Sequence, residues 1–141
     1  FCGASAETMR GLSAFAIPLG LAFQLRDDVL GVFGEPEVTG KPAGDDLREG
    51  KRTTLIALTR QTLSGTTVKL FDELMSNRDL NAEQIRLLQE TIKGSGALAK
   101  VEQMIDEYGN ESLLALQQLQ LDEFGKENLK ALALKVVNRS S

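Results

Sequence analysis

The stretch at residues 23–53 carries most of the information in this chain and reads FQLRDDVLGVFGEPEVTGKPAGDDLREGKRT. An apolar, helix-like segment ends in two adjacent carboxylates, Asp27 and Asp28. A glycine-rich loop follows, in which Lys41 and Lys51 each come directly after a glycine. Magnesium in proteins is held by one or two carboxylates together with substrate phosphate oxygens, and lysines supply positive charge around such phosphates. The stretch therefore predicts a site for diphosphate chemistry.

The two aspartates lie near the end of the apolar segment, where negative charge is unfavourable for a helix. Gln24 precedes Asp27 by three residues and Asp28 by four, so the three side chains share a face. The helix dipole disfavours each carboxylate at a C-terminal end by roughly 0.3–1 kcal/mol, and a bound dication would reverse this penalty. We expect the ion at the mouth of an apolar pocket lined by Phe15, Ile17, Leu21 and Phe23.

The composition is that of one globular domain. The 141 residues are enough to bury a core, with 42% hydrophobic and 26% charged residues. The net charge is −4 and the basic residues are dispersed, so we expect no nucleic acid partner. The longest apolar stretch, residues 12–23, contains Pro18 and Gly20 and is too short to cross a bilayer, so we expect no membrane span.

Histidine is absent from the sequence. This excludes histidine-based zinc sites and histidine-dependent nucleophiles or general bases from this chain. Any metal must be held by oxygen ligands, which indicates Mg²⁺, Ca²⁺ or Mn²⁺. Cys2 is the only cysteine, so no intrachain disulfide can form and a cytoplasmic location is favoured.

Helical periodicity along the chain predicts an all-α fold. Residues 3–33 form the first helical segment, which we expect Pro18 to kink or divide. Residues 34–50 are rich in glycine, proline and charge, and a loop of this length in a compact helical domain suggests a functional role. Further helices are predicted from Thr53 onward, around residues 70–75, from an N-cap at Asn81 to Ile92, over about 97–119 and over about 126–138.

Each element of the 23–53 stretch is common when it stands alone. An Asp-Asp pair is most often a solvated turn or helix end, and Gly40-Lys41-Pro42 alone indicates only a turn. Lys51-Arg52-Thr53 could be a charged run before a helix that Thr53 caps. The ordered combination is far more specific than any of its parts.

In this order, the residues resemble the second aspartate-rich region of the trans-isoprenyl diphosphate synthases, also called polyprenyl synthetases. The family pattern is FQ-x-x-DD-x-x-D, then GK, then Asp, then GK-x-T. The matching residues here are Phe23-Gln24, Asp27-Asp28, Gly40-Lys41, Asp46 and Gly50-Lys51 with Thr53.

The resemblance implies an antiparallel helix bundle around a central cavity and Mg²⁺-dependent head-to-tail prenyl transfer. An allylic prenyl diphosphate would ionise, C4 of isopentenyl diphosphate would attack the allylic cation, and a proton would pass to the released diphosphate. By position, the resemblance assigns Mg²⁺ ligation to Asp27 and Asp28. It assigns catalytic roles to Asp27, Gln24 and Lys41, and substrate binding to Phe23, Lys41, Lys51 and Asp46, with Asp46 behind the metal ligands.

The chain departs from the family pattern in two ways. The third aspartate of DD-x-x-D is Gly31, and no first aspartate-rich motif exists in the sequence. We therefore expect residues 1–141 to be the C-terminal portion of a single all-α prenyl-synthase domain, with substrate-binding residues in the loop at 34–50. Such a piece would be inactive alone, and would need the missing half and a second copy in a homodimer.

Two other functions remain open at this stage. One is a non-catalytic helical subunit that regulates or stabilises a prenyl synthase partner; a first aspartate-rich motif elsewhere in the full polypeptide would decide against it. The other is a protein related to terpene cyclases, which ionises a prenyl diphosphate without extending it. The loop with two lysines favours the elongating enzymes over the cyclases.

Overall fold

The structure is a computed structural model that describes residues 6–138. These residues form eight helices and no strand, which confirms the all-α prediction. In chain order the helices are α1 (Ala6–Phe33), α2 (Pro36–Thr39), α3 (Asp45–Glu49), α4 (Thr54–Thr62), α5 (Gly65–Ser76), α6 (Ala82–Gly94), α7 (Ala97–Gln117) and α8 (Glu123–Val137). Cys2, which we interpreted from the sequence, lies outside the described residues.

Two sequence predictions near the N-terminal half need correction. The first helix is not divided, because α1 continues through Pro18 to Phe33. The segment at 34–50 is not a plain loop, since it contains the short helices α2 and α3. Glycines in the left-handed conformation at both ends of α3, Gly44 and Gly50, conceal this helix in the sequence pattern, because glycine normally signals a turn.

Side-chain caps explain where the later helices begin. The Thr53 hydroxyl accepts a hydrogen bond from Ile56 N at 3.3 Å and so starts α4. Asn81 and Gln84 form the reciprocal capping box of α6. Helix α8 begins earlier than the sequence predicted because Asp122 caps it: its Oδ1 accepts a hydrogen bond from Gly125 N at 2.6 Å.

The described residues divide into two compact units. The first contains residues 6–26 and 103–138, and its buried core consists of Phe15, Leu19, Leu116, Leu119 and Ala133. The second contains residues 27–102. In this unit α6 contacts α3, α4 and α5, so α6 is the helix around which the others pack.

None of the helices within residues 6–138 is both long enough and apolar enough to span a bilayer.

The central position of α6 can be tested with two neighbouring leucines. Leu88 is 1% exposed and Leu87 is 53% exposed. Truncation of a buried leucine to alanine costs about 2–5 kcal/mol, whereas an exposed position changes stability by about 0.5 kcal/mol or less. We expect Leu88→Ala to lower the free energy of unfolding in urea by that larger amount and Leu87→Ala to change it little. Equal effects of the two substitutions would contradict the packing of α6.

Candidate active site

The paired carboxylates lie on α1 at the start of the second unit. Asp28 is buried, with 4% of its surface exposed, and Asp27 is half-buried. Both residues come more than one turn before the end of α1 at Phe33. Because the helix dipole acts mainly within the last turn, its penalty on these carboxylates is smaller than the sequence suggested. For Asp28, the loss of solvent around the carboxylate is more important than the helix dipole.

The two lysines each follow a glycine that ends a short helix. Gly40 ends α2 with φ +71° and Gly50 ends α3 with φ +63°, a conformation that other residues adopt only with strain. Lys41 is fixed at its backbone, where its N–H donates to Thr39 Oγ1 at 3.2 Å. The side chain of Lys41 is exposed.

Lys51 is connected to Asp46 twice. Its backbone N–H donates to the carbonyl oxygen of Asp46 at 3.0 Å, which closes the end of α3. Its Nζ lies 3.7 Å from Oδ2 of the same residue, a distance that allows an ion pair but is too long for a hydrogen bond. The ammonium group is therefore near the carboxylate and still able to bind another oxygen.

Asp46 is the most perturbed group of the site. It is 9% exposed, and its buried Oδ2 accepts no hydrogen bond from the described part of the chain. Burial raises the pKa of the carboxyl above its ordinary value. Lys51 and Lys41 lower that pKa, and Asp27 and Asp28 raise it further. The other four charged groups therefore lie close enough to act on the Asp46 carboxyl.

Gly31, at the position of the missing third aspartate, lies against the Asp46 carboxylate. A Cβ atom on Gly31 would overlap with Cγ and Oδ2 of Asp46 and would lie 2.8 Å from Oδ1. In the sequence, Gly31 stands out only as a gap in the motif, and this contact is not evident there. A glycine inside a helix costs about 1 kcal/mol relative to alanine, and that cost was the available signal of a close approach.

The predicted apolar pocket stays a prediction for Ile17, Leu21 and Phe23. Phe15 is buried in the core of the first unit, so its assignment to the pocket is wrong. Phe15 and Leu19 are one turn apart and share the face of α1 that packs in this core. Ile17 and Leu21 share another face and remain 65% and 45% exposed.

Phe23 and Gln24 also lie on α1, in the part that belongs to the first unit. Phe23 is 48% exposed and Gln24 is exposed. The other five predicted site residues belong to the second unit. The roles predicted for all seven residues stay predictions.

The carboxylates fit a hard divalent cation but do not enclose one. No group of three or more Asp, Glu, His or Cys side chains in residues 6–138 is arranged to hold a metal by itself. Magnesium does not require such a group, because it keeps several waters and binds substrate phosphates with one or two carboxylates. The buried Oδ2 of Asp46 accepts no hydrogen bond among residues 6–138, and the Lys51 ammonium group lies 3.7 Å from it, so this oxygen can still accept a second cationic partner.

Comparison with known proteins agrees with the pattern in the 23–53 stretch. The sequence profile of the polyprenyl synthetase family matches residues 1–92. The chain belongs to the polyprenyl synthetase family. The resemblance derived from the motif is thereby confirmed.

Several characterised members of the polyprenyl synthetase family are similar in sequence. A short chain isoprenyl diphosphate synthase of Methanocaldococcus jannaschii is 36% identical over 94 residues, which cover 67% of this chain and 29% of that protein. A geranylfarnesyl diphosphate synthase of Aeropyrum pernix is 50% identical over 54 residues, covering 38% of this chain and 17% of that protein. The chain thus spans under a third of the length of these relatives.

Solved polyprenyl synthetase structures share the fold. A geranylgeranyl pyrophosphate synthase from Corynebacterium glutamicum, complexed with isoprenyl diphosphate and magnesium, has a TM-score of 0.91 and 38% identity. The alignment covers 98% of this chain and 39% of that one. A polyprenyl synthase from Caulobacter crescentus, complexed with calcium and isoprenyl diphosphate, has a TM-score of 0.86 and 32% identity, covering 99% and 42%.

The burial of Asp46 predicts a stability effect with a definite sign. Because its pKa is raised, the ionised carboxylate is unfavourable in the folded state, and this penalty is relieved as the pH falls through the raised pKa. In EDTA at neutral pH, Asp46→Asn should therefore have a higher Tm than the unsubstituted protein. The difference should shrink in mildly acidic buffer.

A matched control is Asp106→Asn, an exposed position on α7, for which we expect no comparable gain. Thermal melts followed by circular dichroism measure both effects. A lower Tm for Asp46→Asn at neutral pH would show that the ion pair with Lys51 outweighs the cost of burial.

Proposed function

We propose that this chain supplies the second aspartate-rich half-site of a Mg²⁺-dependent prenyl diphosphate synthase. The reaction would join an allylic prenyl diphosphate to isopentenyl diphosphate head to tail, giving a longer polyprenyl diphosphate and free diphosphate. The observation that carries this proposal is that four charged groups of the second unit act on the Asp46 carboxyl. These groups are the carboxylates of Asp27 and Asp28 and the ammonium groups of Lys41 and Lys51.

The structural neighbours support the ligand chemistry of this proposal. The Corynebacterium glutamicum synthase is complexed with isoprenyl diphosphate and magnesium, and the Caulobacter crescentus synthase with isoprenyl diphosphate and calcium. Both cations are hard ions that prefer oxygen ligands. The carboxylates of this chain suit either ion, and we assign Mg²⁺ as the cofactor.

Asp27 and Asp28 would hold the metal ion on the diphosphate of the allylic substrate. A bound Mg²⁺ would neutralise the charge that develops on the leaving diphosphate. Asp28 is almost fully buried, and a buried carboxylate keeps a fixed position because its neighbours restrict its rotamers. The metal would therefore be held from a rigid face of α1.

Lys41 and Lys51 would bind the diphosphate oxygens from the ends of the short helices. Both residues are exposed, so their ammonium groups can reach a ligand without loss of packing. Lysine binds phosphate as a compact charge on a flexible stem, which suits a group that must bind the diphosphate before and after the C–O bond breaks. By the resemblance, Phe23 would line the pocket for the prenyl chain, and Gln24 would lie near the diphosphate or the developing cation.

The remaining parts of the enzyme would come from outside the second half-site. The other metal ions need a first aspartate-rich motif, which this sequence does not contain, and isopentenyl diphosphate needs basic residues from the same upstream part. We propose that a longer polypeptide supplies this motif, since the chain covers only part of its relatives. We further propose that the complete enzyme is a cytoplasmic homodimer.

The half-site is tested by calorimetric titration of the protein with an allylic thiolodiphosphate analogue in Mg²⁺ and in EDTA. We expect saturable binding in Mg²⁺ that EDTA removes. Asp27→Ala should weaken the Mg²⁺-dependent affinity at least about tenfold, which corresponds to about 1.4 kcal/mol. The physical reason is that Asp27 is a direct ligand of the metal in the proposed site.

Asp106→Ala is the matched control, because Asp106 is an exposed aspartate on α7 and should leave the affinity unchanged. Binding that is equally tight in EDTA, or in the Asp27→Ala variant, would show that the aspartates do not hold the metal. Absence of binding in Mg²⁺ would show that this chain does not supply a half-site.

A further inference from the structure

In the second unit, the Asp46 carboxylate lies in the space that a side chain on residue 31 would need. A Cβ atom on Gly31 would overlap with two atoms of the Asp46 carboxyl group and lie 2.8 Å from the third. Cβ atoms in proteins essentially never come closer than 3.0 Å to another atom. The whole carboxylate of Asp46 therefore lies where a side chain on residue 31 would begin.

We propose that Gly31 is a positioning residue for the metal site: because it lacks a side chain, Asp46 on α3 can supply the third carboxylate that α1 does not. The proposal rests on the proposed function, since it states how that site obtains its negative charge. It also predicts that an aspartate at position 31, which would complete DD-x-x-D, is harmful in this protein.

The helical register places this third carboxylate on the correct side of α1. Residue 31 follows Asp28 by three positions and Asp27 by four, so all three positions share one face of the helix. The Asp46 carboxylate, which lies over residue 31, is consequently on the same face of α1 as the predicted metal ligands Asp27 and Asp28. Asp46 can then act on a bound cation by its charge without belonging to α1.

The environment of Asp46 indicates a binding role and not only a packing role. Its Oδ2 is buried without a hydrogen bond among residues 6–138, and the nearest ammonium group, Lys51 Nζ, is 3.7 Å away. Buried polar atoms in native proteins are normally satisfied, and each exception needs an explanation. A role in binding a cation would explain why the Asp46 Oδ2 is buried without a hydrogen bond.

Gly20 shows that not every glycine of α1 is required. A Cβ atom on Gly20 would meet nothing within 4 Å, although the residue lies on the same helix. Substitution at Gly20 therefore measures the effect of a new side chain on α1 without the overlap. It is the matched control for Gly31.

The test measures the affinity for inorganic pyrophosphate in Mg²⁺ and in EDTA by calorimetry. The proteins are the unsubstituted chain, Gly31→Asp, Asp46→Ala, the double variant and Gly20→Asp. We expect Gly31→Asp alone to weaken Mg²⁺-dependent binding at least tenfold, because two side chains compete for one space. Asp46→Ala alone should weaken it as well, and Gly20→Asp should leave it within twofold.

The double variant decides between positioning and packing. Asp46→Ala removes the three atoms nearest to a Cβ on residue 31, so we expect an aspartate at position 31 to be accommodated and to return a carboxylate to the site. We expect Gly31→Asp to restore most of the affinity in this background, although it is harmful in the unsubstituted protein. If Gly31→Asp alone does not fold, the comparison of Asp46→Ala with the double variant still decides.

The outcomes separate this inference from the proposed function. If the unsubstituted protein binds pyrophosphate only with Mg²⁺ but the double variant binds no better than Asp46→Ala, the positioning role is wrong and the proposed function stands. The same holds if Gly31→Asp alone binds as tightly as the unsubstituted protein. If the unsubstituted protein shows no Mg²⁺-dependent binding, both proposals are overturned.

Discussion

The close approach of the Asp46 carboxylate to Gly31 is the contact on which the candidate site depends, because it determines how near α3 comes to α1. Helix α3 has only 5 residues, and isolated helices of this length are not stable in water. Its position must therefore come from tertiary packing. Leu47 at its centre is 0% exposed, and α3 contacts α6. The hydrophobic core of the second unit thus fixes a carboxylate that the loop alone could not hold in place.

This arrangement makes the site unfavourable for stability in the absence of a ligand. Asp46 is buried beside two other carboxylates, and burial and the like charges both raise its pKa. Lys51 offsets part of this effect, at a distance too long for a hydrogen bond. Proteins keep such destabilising groups mainly at functional positions, where activity and stability conflict. The energetic cost at Asp46 is consistent with a binding role.

Local signals in the sequence were sufficient for most of the fold. Caps at Thr53 and Asn81 predicted where α4 and α6 begin, since each side chain bonds to its own helix. The residues of the motif were identified because their types and order are specific. The sequence did not reveal α3, the packing of Phe15 or the Gly31–Asp46 contact. These features depend on which distant residues meet in three dimensions, and a single sequence contains no direct record of such contacts.

The charges of the site also favour one order of binding. With all five groups ionised, three carboxylates and two ammonium groups give a formal charge of −1, which attracts a cation and repels a diphosphate. One dication changes this charge to +1, so the same residues then attract the diphosphate. In the proposed site, Lys41 and Lys51 are exposed and would turn towards the new ligand, whereas burial restricts the rotamers of Asp28 and Asp46. The aspartates would therefore form the fixed side of the proposed site, and the lysines would form the side that adapts to the substrate.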